Sequence, residues 1–145
     1  MCYDYARMLK DIEMLTDNYN IIERFSIGKS VMQKDIPCLK IGKGKKKLLL
    51  SGAYHGLEYL TAAFLIKFVS NYTVKLMTET EYFGYDIKRL YSDITVYIVP
   101  MVNPDGVDIA LNGLDITNEY HRHLISMVGI HSLIMFGRQI RGELI

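Results

Sequence analysis

The sequence predicts an α/β fold, and three stretches carry that reading. Leu48, Leu49 and Leu50 form a short apolar run that ends in Ser51-Gly52-Ala53, the pattern of a buried strand entering a tight turn. Leu60, Phe64, Ile66, Phe68 and Val69, with Ala62 and Ala63 among them, make an apolar run too long for one strand and read as a well-buried helix. Ile94 to Val99 is rich in β-branched residues and is closed by Pro100, which ends a strand well. Strand, helix and later strand are the parts of an open α/β sheet, whose sites form in loops at the carboxyl ends of its strands.

The remaining elements follow from local pattern. Tyr5, Met8, Leu9, Ile12 and Leu15 recur at spacings of three and four behind Asp4, which predicts a capped amphipathic helix over residues 4–17. Asp17-Asn18 breaks it. Residues 22–27 and 36–41 flank a polar stretch and predict an antiparallel pair of short strands. Gly42 and Gly44, set among Lys43, Lys45, Lys46 and Lys47, then read as a solvated hairpin turn rather than a phosphate patch. From Tyr72 to Leu90 the chain is polar with aromatic interruptions, and predicts the end of a helix, a loop through Gly84 and a short helix over 86–91. Asn103-Pro104-Asp105-Gly106 has the residues of a sharp reversal and is given a structural role, shaping the wall of a site. Residues 115–124 form a short helix carrying His121 and His123 in this reading. No repeat, low-complexity segment or domain linker interrupts the chain.

At 145 residues, half of them hydrophobic and 23% charged, the chain has the size and balance of one globular domain. A net charge of +1 gives no reason to expect nucleic acid or an anionic membrane as partner. Cys2 and Cys38 cannot make a disulfide framework and lie in no C-x-x-C or nucleophile context, so both are expected as free thiols. No apolar run approaches the length of a membrane span. Asp4, Arg7, Lys10 and Asp11 stand where a signal peptide would place its apolar core, so these features predict a cytoplasmic chain.

The loop between the leucine strand and the long helix holds a closely spaced pair of metal-ligand residues, His55 and Glu58. An imidazole nitrogen and a carboxylate oxygen are ordinary zinc ligands, and a catalytic zinc takes three protein ligands with a fourth position for water. Alone, H-x-x-E also describes a surface histidine followed by a first-turn glutamate favoured by the helix dipole. A second motif favours the metal. Gly52-Ala53-x-His55-x-x-Glu58 after one strand and Val99-Pro100-x-x-Asn103-Pro104-Asp105-Gly106 after a later one resemble the zinc carboxypeptidases of the carboxypeptidase A type. Bacterial members that cut γ-D-glutamyl-diamino acid bonds in cell-wall peptides are similar to it. The likeness spans residues 3–123 and takes in the turns Gly28-Lys29-Ser30 and Ile41-Gly42-Lys43-Gly44 and the segment Tyr85-Asp86-Ile87.

The resemblance implies the N-terminal portion of a mixed-sheet zinc carboxypeptidase fold with helices on both faces, incomplete at its C-terminal end. It implies one zinc ion with His55 and Glu58 as two of its ligands, and hydrolysis of a peptide substrate, cell-wall peptides included. In that family a second zinc histidine, an Asn-Arg pair for the substrate carboxylate and a catalytic glutamate lie further along the chain. No catalytic residue is therefore assigned here, and the substrate-binding residues stay open. His121 and His123, two apart on a helix, point in different directions and read as exposed histidines; His131 fares no better as a ligand. Two other readings stand beside this one. The aspartoacylase-like amidohydrolases also carry an H-G-x-E loop, although the N-P-D-G turn favours the carboxypeptidases. A non-enzymatic remnant with a vestigial metal site is the reading from a different class. Relatives often act on the wall from outside, which leaves room for an upstream targeting or wall-binding module. An incomplete sheet would expose an apolar face and an edge, and so favour self-association.

The family pattern stops near Ser126, which divides the chain into residues 1–126, part of a catalytic domain, and a divergent tail, 127–145. In the codons allowed by Phe136 to Ile145, the last base of each read with the first two of the next can spell W-K-A-N-T-R-G-V-D. The family carries W-x-A-N-x-R-G-V-D at this place. The expectation is a one-base frame change, and an inactive chain as written. The alternative is a natural divergent helix, with Ile130 to Phe136 as an apolar packing segment.

Overall fold

The computed structural model describes residues 2–79, 81–128 and 140–141. Helix α1 (Tyr5–Asn18) begins behind Asp4, whose carboxylate accepts from the Arg7 amide at 2.8 Å, and it buries Met8, Ile12 and Leu15. Strands β1 (Ile22–Lys29) and β2 (Asp35–Ile41) pair antiparallel, with Ile22 opposite Ile41 and Phe25 opposite Cys38. Strand β3 (Lys46–Ser51) leads through a 3-10 turn (Gly56–Glu58) into α2 (Tyr59–Thr78). A two-residue ribbon follows, β4 (Glu81–Tyr82) and β5 (Tyr85–Asp86), then α3 (Ile87–Asp93) and β6 (Ile94–Val99). The chain goes on through α4 (Pro104–Asn112), β7 (Leu114–Asp115) and α5 (Glu119–Val128), and β8 (Ile140–Arg141) pairs parallel with β7.

The main sheet runs β1-β2-β6-β3. It is mixed, because β6 is antiparallel to β2 and parallel to β3. This order corrects the hairpin expected at the lysine cluster: β6 lies between β2 and β3, so residues 42–45 form a crossover past the start of β6. The two glycines are there for close approach. A Cβ on Gly44 would lie 1.8 Å from the Asp93 carbonyl carbon, and Gly42, at φ +107°, would meet the Ile94 oxygen at 2.1 Å. Lys47 is drawn in as well, its ammonium donating to Gly44 O at 3.0 Å and to Thr95 Oγ1 at 3.2 Å.

Leu39, Ile41, Val96 and Ile98 point to one face of the sheet, where they join the buried side chains of α1 and α2 (Met8, Ile12, Ala62, Leu65, Ile66 and Val69) in one core. Burying each of the larger of these contributes about 1.5–3 kcal/mol. On the opposite face Phe25, Ile27 and Leu49 are 40%, 54% and 64% exposed, and among the described residues the shallow groove they share is lined by strand residues.

Two further expectations change. The leucine run is a strand, but it is not a buried one: among the described residues β3 is the edge of the sheet, with no strand beyond it, so Leu48 and Leu49 stay exposed and of the three only Leu50 packs against the core. The Asn103-Pro104-Asp105-Gly106 segment starts a helix rather than closing a reversal. Asn103 Oδ1 accepts from the Gly106 amide at 2.8 Å and Pro104 takes the first helical position, where its missing N–H costs nothing. Cys2 and Cys38 are free thiols, one exposed and one buried. Among the described residues no helix is long and apolar enough to cross a membrane. Most of the tail 127–145, with its apolar segment 130–136 and His131, lies outside the described residues.

Candidate metal centre

The site begins where β3 runs out beside the end of β6. The Gly52 amide donates to Val99 O at 3.1 Å, and in return the Val102 amide donates to Gly52 O at 2.9 Å and the Asn103 amide to Ala53 O at 3.0 Å. A side chain at position 52 would meet Thr61 Oγ1 at 2.8 Å, so glycine is required for the approach. Ala53 is buried with φ 51°, in the left-handed region. Thr61 fastens both ends of the loop, its hydroxyl accepting from the Ala53 amide at 2.7 Å and donating to Glu58 O at 2.8 Å.

That loop brings the predicted pair together. His55 Nδ1 and Glu58 Oε1 are 2.7 Å apart, and the His55 amide donates to Glu58 Oε2 at 3.2 Å. Both side chains face solvent, 82% and 45% exposed. Hydrogen bonds from the His55 ring and then from its amide hold the Glu58 carboxyl below the ordinary carboxylate range, against a smaller opposing effect of burial. The carboxylate is thus ionised at neutral pH and can only accept, so Nδ1 carries the shared proton. A metal at Nδ1 would take that proton's place.

The wall of the loop is the start of α4. Asn103 Nδ2 donates to Tyr54 O at 3.1 Å, and Gly56 lies so close to Gly106 that a Cβ would meet its carbonyl oxygen at 2.1 Å. The H-G-x-E and N-P-D-G motifs therefore touch backbone to backbone.

The donor set fits zinc in kind, an imidazole nitrogen and an ionised carboxylate open to solvent, and in number it falls one short of the three protein ligands a catalytic ion uses. Among the described residues no group of three or more His, Cys, Asp or Glu side chains converges on one point. His121 differs from its expectation as an exposed residue. It is buried, with Nδ1 accepting from the Asp115 amide at 2.9 Å, because α5 folds back over β7. His123 is exposed as expected. Sequence reasoning missed Thr61 and the direct hold of Asn103 on the loop. The signal for Asn103 was present: an asparagine ahead of proline is a helix-start pattern as well as a turn.

A mixed sheet with a histidine and a glutamate brought together just beyond the carboxyl end of a parallel strand defines an α/β protein of the kind that builds its sites there. The zinc carboxypeptidase family profile matches residues 8–125, and the chain belongs to that family. Gamma-D-glutamyl-L-diamino acid endopeptidase 1 of Lysinibacillus sphaericus is 36% identical over 111 residues, which are 77% of this chain and 28% of that protein. A zinc carboxypeptidase of Saccharothrix mutabilis subsp. capreolus is 29% identical over 102 residues, 66% of this chain and 22% of its own. Bovine thrombin-activatable fibrinolysis inhibitor, solved with tick carboxypeptidase inhibitor, superposes with a TM-score of 0.63 at 26% identity, over 77% of this chain and 34% of its own. Carboxypeptidase A from Helicoverpa armigera shares the fold, with a TM-score of 0.63 at 20% identity over 77% of this chain and 27% of its own. The chain spans less than a third of the length of these two curated relatives.

Proposed function

We propose that residues 1–126 are the N-terminal part of the catalytic domain of a zinc-dependent peptide hydrolase, with His55 Nδ1 and a Glu58 carboxylate oxygen as two ligands of a single zinc ion. The observation that carries this reading is the 2.7 Å approach of those atoms, facing solvent, on a loop inside the family-matched segment. Zinc held there supplies Lewis acidity toward a scissile carbonyl and a bound water acidified to near neutrality. Glu58 contributes an anion that needs no deprotonation at neutral pH, and His55 gives up its Nδ1 proton to become a ligand. The substrate is a peptide. The endopeptidase relative is named for γ-D-glutamyl-L-diamino acid bonds, and that bond class in cell-wall peptides is the proposed target.

A third ligand and a general base are needed to turn over substrate, and among the described residues no third His, Cys, Asp or Glu joins the pair. The 145-residue chain is accordingly proposed to be inactive as written, with 127–145 as text read one base out of frame. The exposed groove and the β3 edge, which no strand covers among the described residues, support self-association as a property of this chain.

The test pairs zinc calorimetry with hydrolysis. The 145-residue chain should bind zinc weakly through His55, losing it in His55→Ala, and should show no turnover. A version with the frame restored near Ser126 should hydrolyse γ-D-glutamyl-diaminopimelate peptides in a chelator-sensitive way. Zinc binding untouched by His55→Ala, or chelator-sensitive turnover by the 145-residue chain, overturns the reading.

A further inference from the structure

We infer that Asp105 is a positioning residue for His55 and Glu58, acting by clamping the β1–β2 loop to the start of α4; its consequence for metal rests on the reading above. Both carboxylate oxygens of Asp105 are bonded across the fold. Ser30 Oγ donates to Oδ1 at 2.9 Å and the Met32 amide donates to Oδ2 at 2.9 Å. Lys34 Nζ lies 3.8 Å from Asp105 Oδ1 and 3.0 Å from Asp108 Oδ2, so one ammonium serves both carboxylates. The Asp105 side chain is only 13% exposed, which keeps these charge-assisted bonds out of the full screening of water.

The loop that supplies the donors is itself closed. The Ser30 amide donates to Lys34 O at 2.8 Å, the Gln33 amide donates to Ser30 O at 3.0 Å, and Ser30 Oγ accepts from the Lys34 amide at 3.1 Å. It therefore acts as one body, and gives the Gly28-Lys29-Ser30 turn a purpose that sequence alone did not assign. On the other side of Asp105 stand the two residues that hold the metal loop: Asn103, whose amide group reaches Tyr54 O, and Gly106, which lies against Gly56. The start of α4 is thus fixed between the hairpin and the metal loop. Releasing the hairpin side frees α4 to shift, and the wall against which His55 and Glu58 are set shifts with it.

Amide hydrogen exchange and zinc calorimetry on the 145-residue chain test this, using Asp105→Ala, Asp105→Asn, Ser30→Ala and the distant core variant Ile12→Val as a stability control. In Asp105→Ala the amides of Ala53, His55 and Glu58 should exchange about tenfold faster than in Ile12→Val. Zinc affinity should fall about tenfold in the same variant and hold steady in the control. Asp105→Asn keeps an acceptor oxygen and should recover part of both effects; Ser30→Ala removes one donor and should move both readouts mildly in the same direction, which serves if the alanine variant at 105 does not fold. Exchange in the 53–58 loop that is no faster in the Asp105 and Ser30 variants than in the control overturns the inference, whatever zinc does. Faster loop exchange in a protein that takes up no zinc through His55 upholds the clamp and defeats the metal reading.

Discussion

Replacing Gly56 with alanine tests whether the two motifs meet as described. Gly56 opens the turn that carries Glu58, and a methyl group there would sit 2.1 Å from the Gly106 carbonyl oxygen, 2.7 Å from its carbon and 3.0 Å from Ala110 Cβ. The first two of these atoms are backbone, so no rotamer change relieves the overlap, and either α4 or the metal loop has to move. Overpacking of this kind costs about 1–3 kcal/mol. Against it, removing glycine's extra freedom in the unfolded chain returns about 0.4–1 kcal/mol. The steric loss wins, leaving a net destabilisation of about 1–2 kcal/mol. For a chain of this size that is a Tm lower by about 3–8 °C. Urea unfolding should show a lower midpoint with an unchanged slope, and a thermal melt should agree. A Gly56→Ala protein as stable as the parent, or more so, would refute the close approach and with it the idea that α4 sets the metal loop.

Two more outcomes follow from the same geometry. Carboxyl-carbon NMR should give Glu58 a midpoint below that of an ordinary glutamate, because the His55 ring and amide favour its charged form. A pKa lowered by folding means its stabilisation is complete above the unfolded value of about 4.3 and is lost as pH falls through the lower folded value; His55→Ala should raise the midpoint, and an unmoved one would show that the hydrogen bond is absent in solution. Leu49→Lys, at an exposed position of the edge strand, should shift sedimentation velocity profiles toward monomer across a concentration series. Profiles identical to the parent's would remove the β3 edge as the contact.

Elements whose cause is local were legible in the sequence. Asp4 and the three-and-four spacing of Met8, Ile12 and Leu15 define α1, and alternation between turn residues defines β1, β2 and β6. What the sequence did not show is order in space. The lysine-rich link looked like a hairpin because β2 and β3 are neighbours in the chain; β6, dozens of residues later, enters between them. The leucine run looked buried because apolar composition reports what a strand could bury against, and an edge position withholds it. The N-P-D-G segment was misread for another reason: the side-chain oxygen that makes asparagine a turn former also makes it a helix cap.

The approach of His55 to Glu58 was legible for the same reason as α1, since three residues of separation within one turn bring their side chains together. The Ser30–Asp105 bond was not, because the two residues are 75 apart in the chain and neither resembles a ligand. Ala53 shows how firmly the loop is held. A non-glycine residue in the left-handed region costs about 1–2 kcal/mol, and nothing in an alanine side chain offsets it. The two backbone bonds from Val102 and Asn103 and the Thr61 hydroxyl bond to the Ala53 amide contribute about 1 kcal/mol each when buried. Their sum exceeds the strain, so the bent loop persists, and it persists only while the β6–α4 connection stays in place to supply Val102 and Asn103. The direction in which His55 and Glu58 point is therefore set by a segment that contributes neither residue, and for this reason the two motifs belong together as one structural unit.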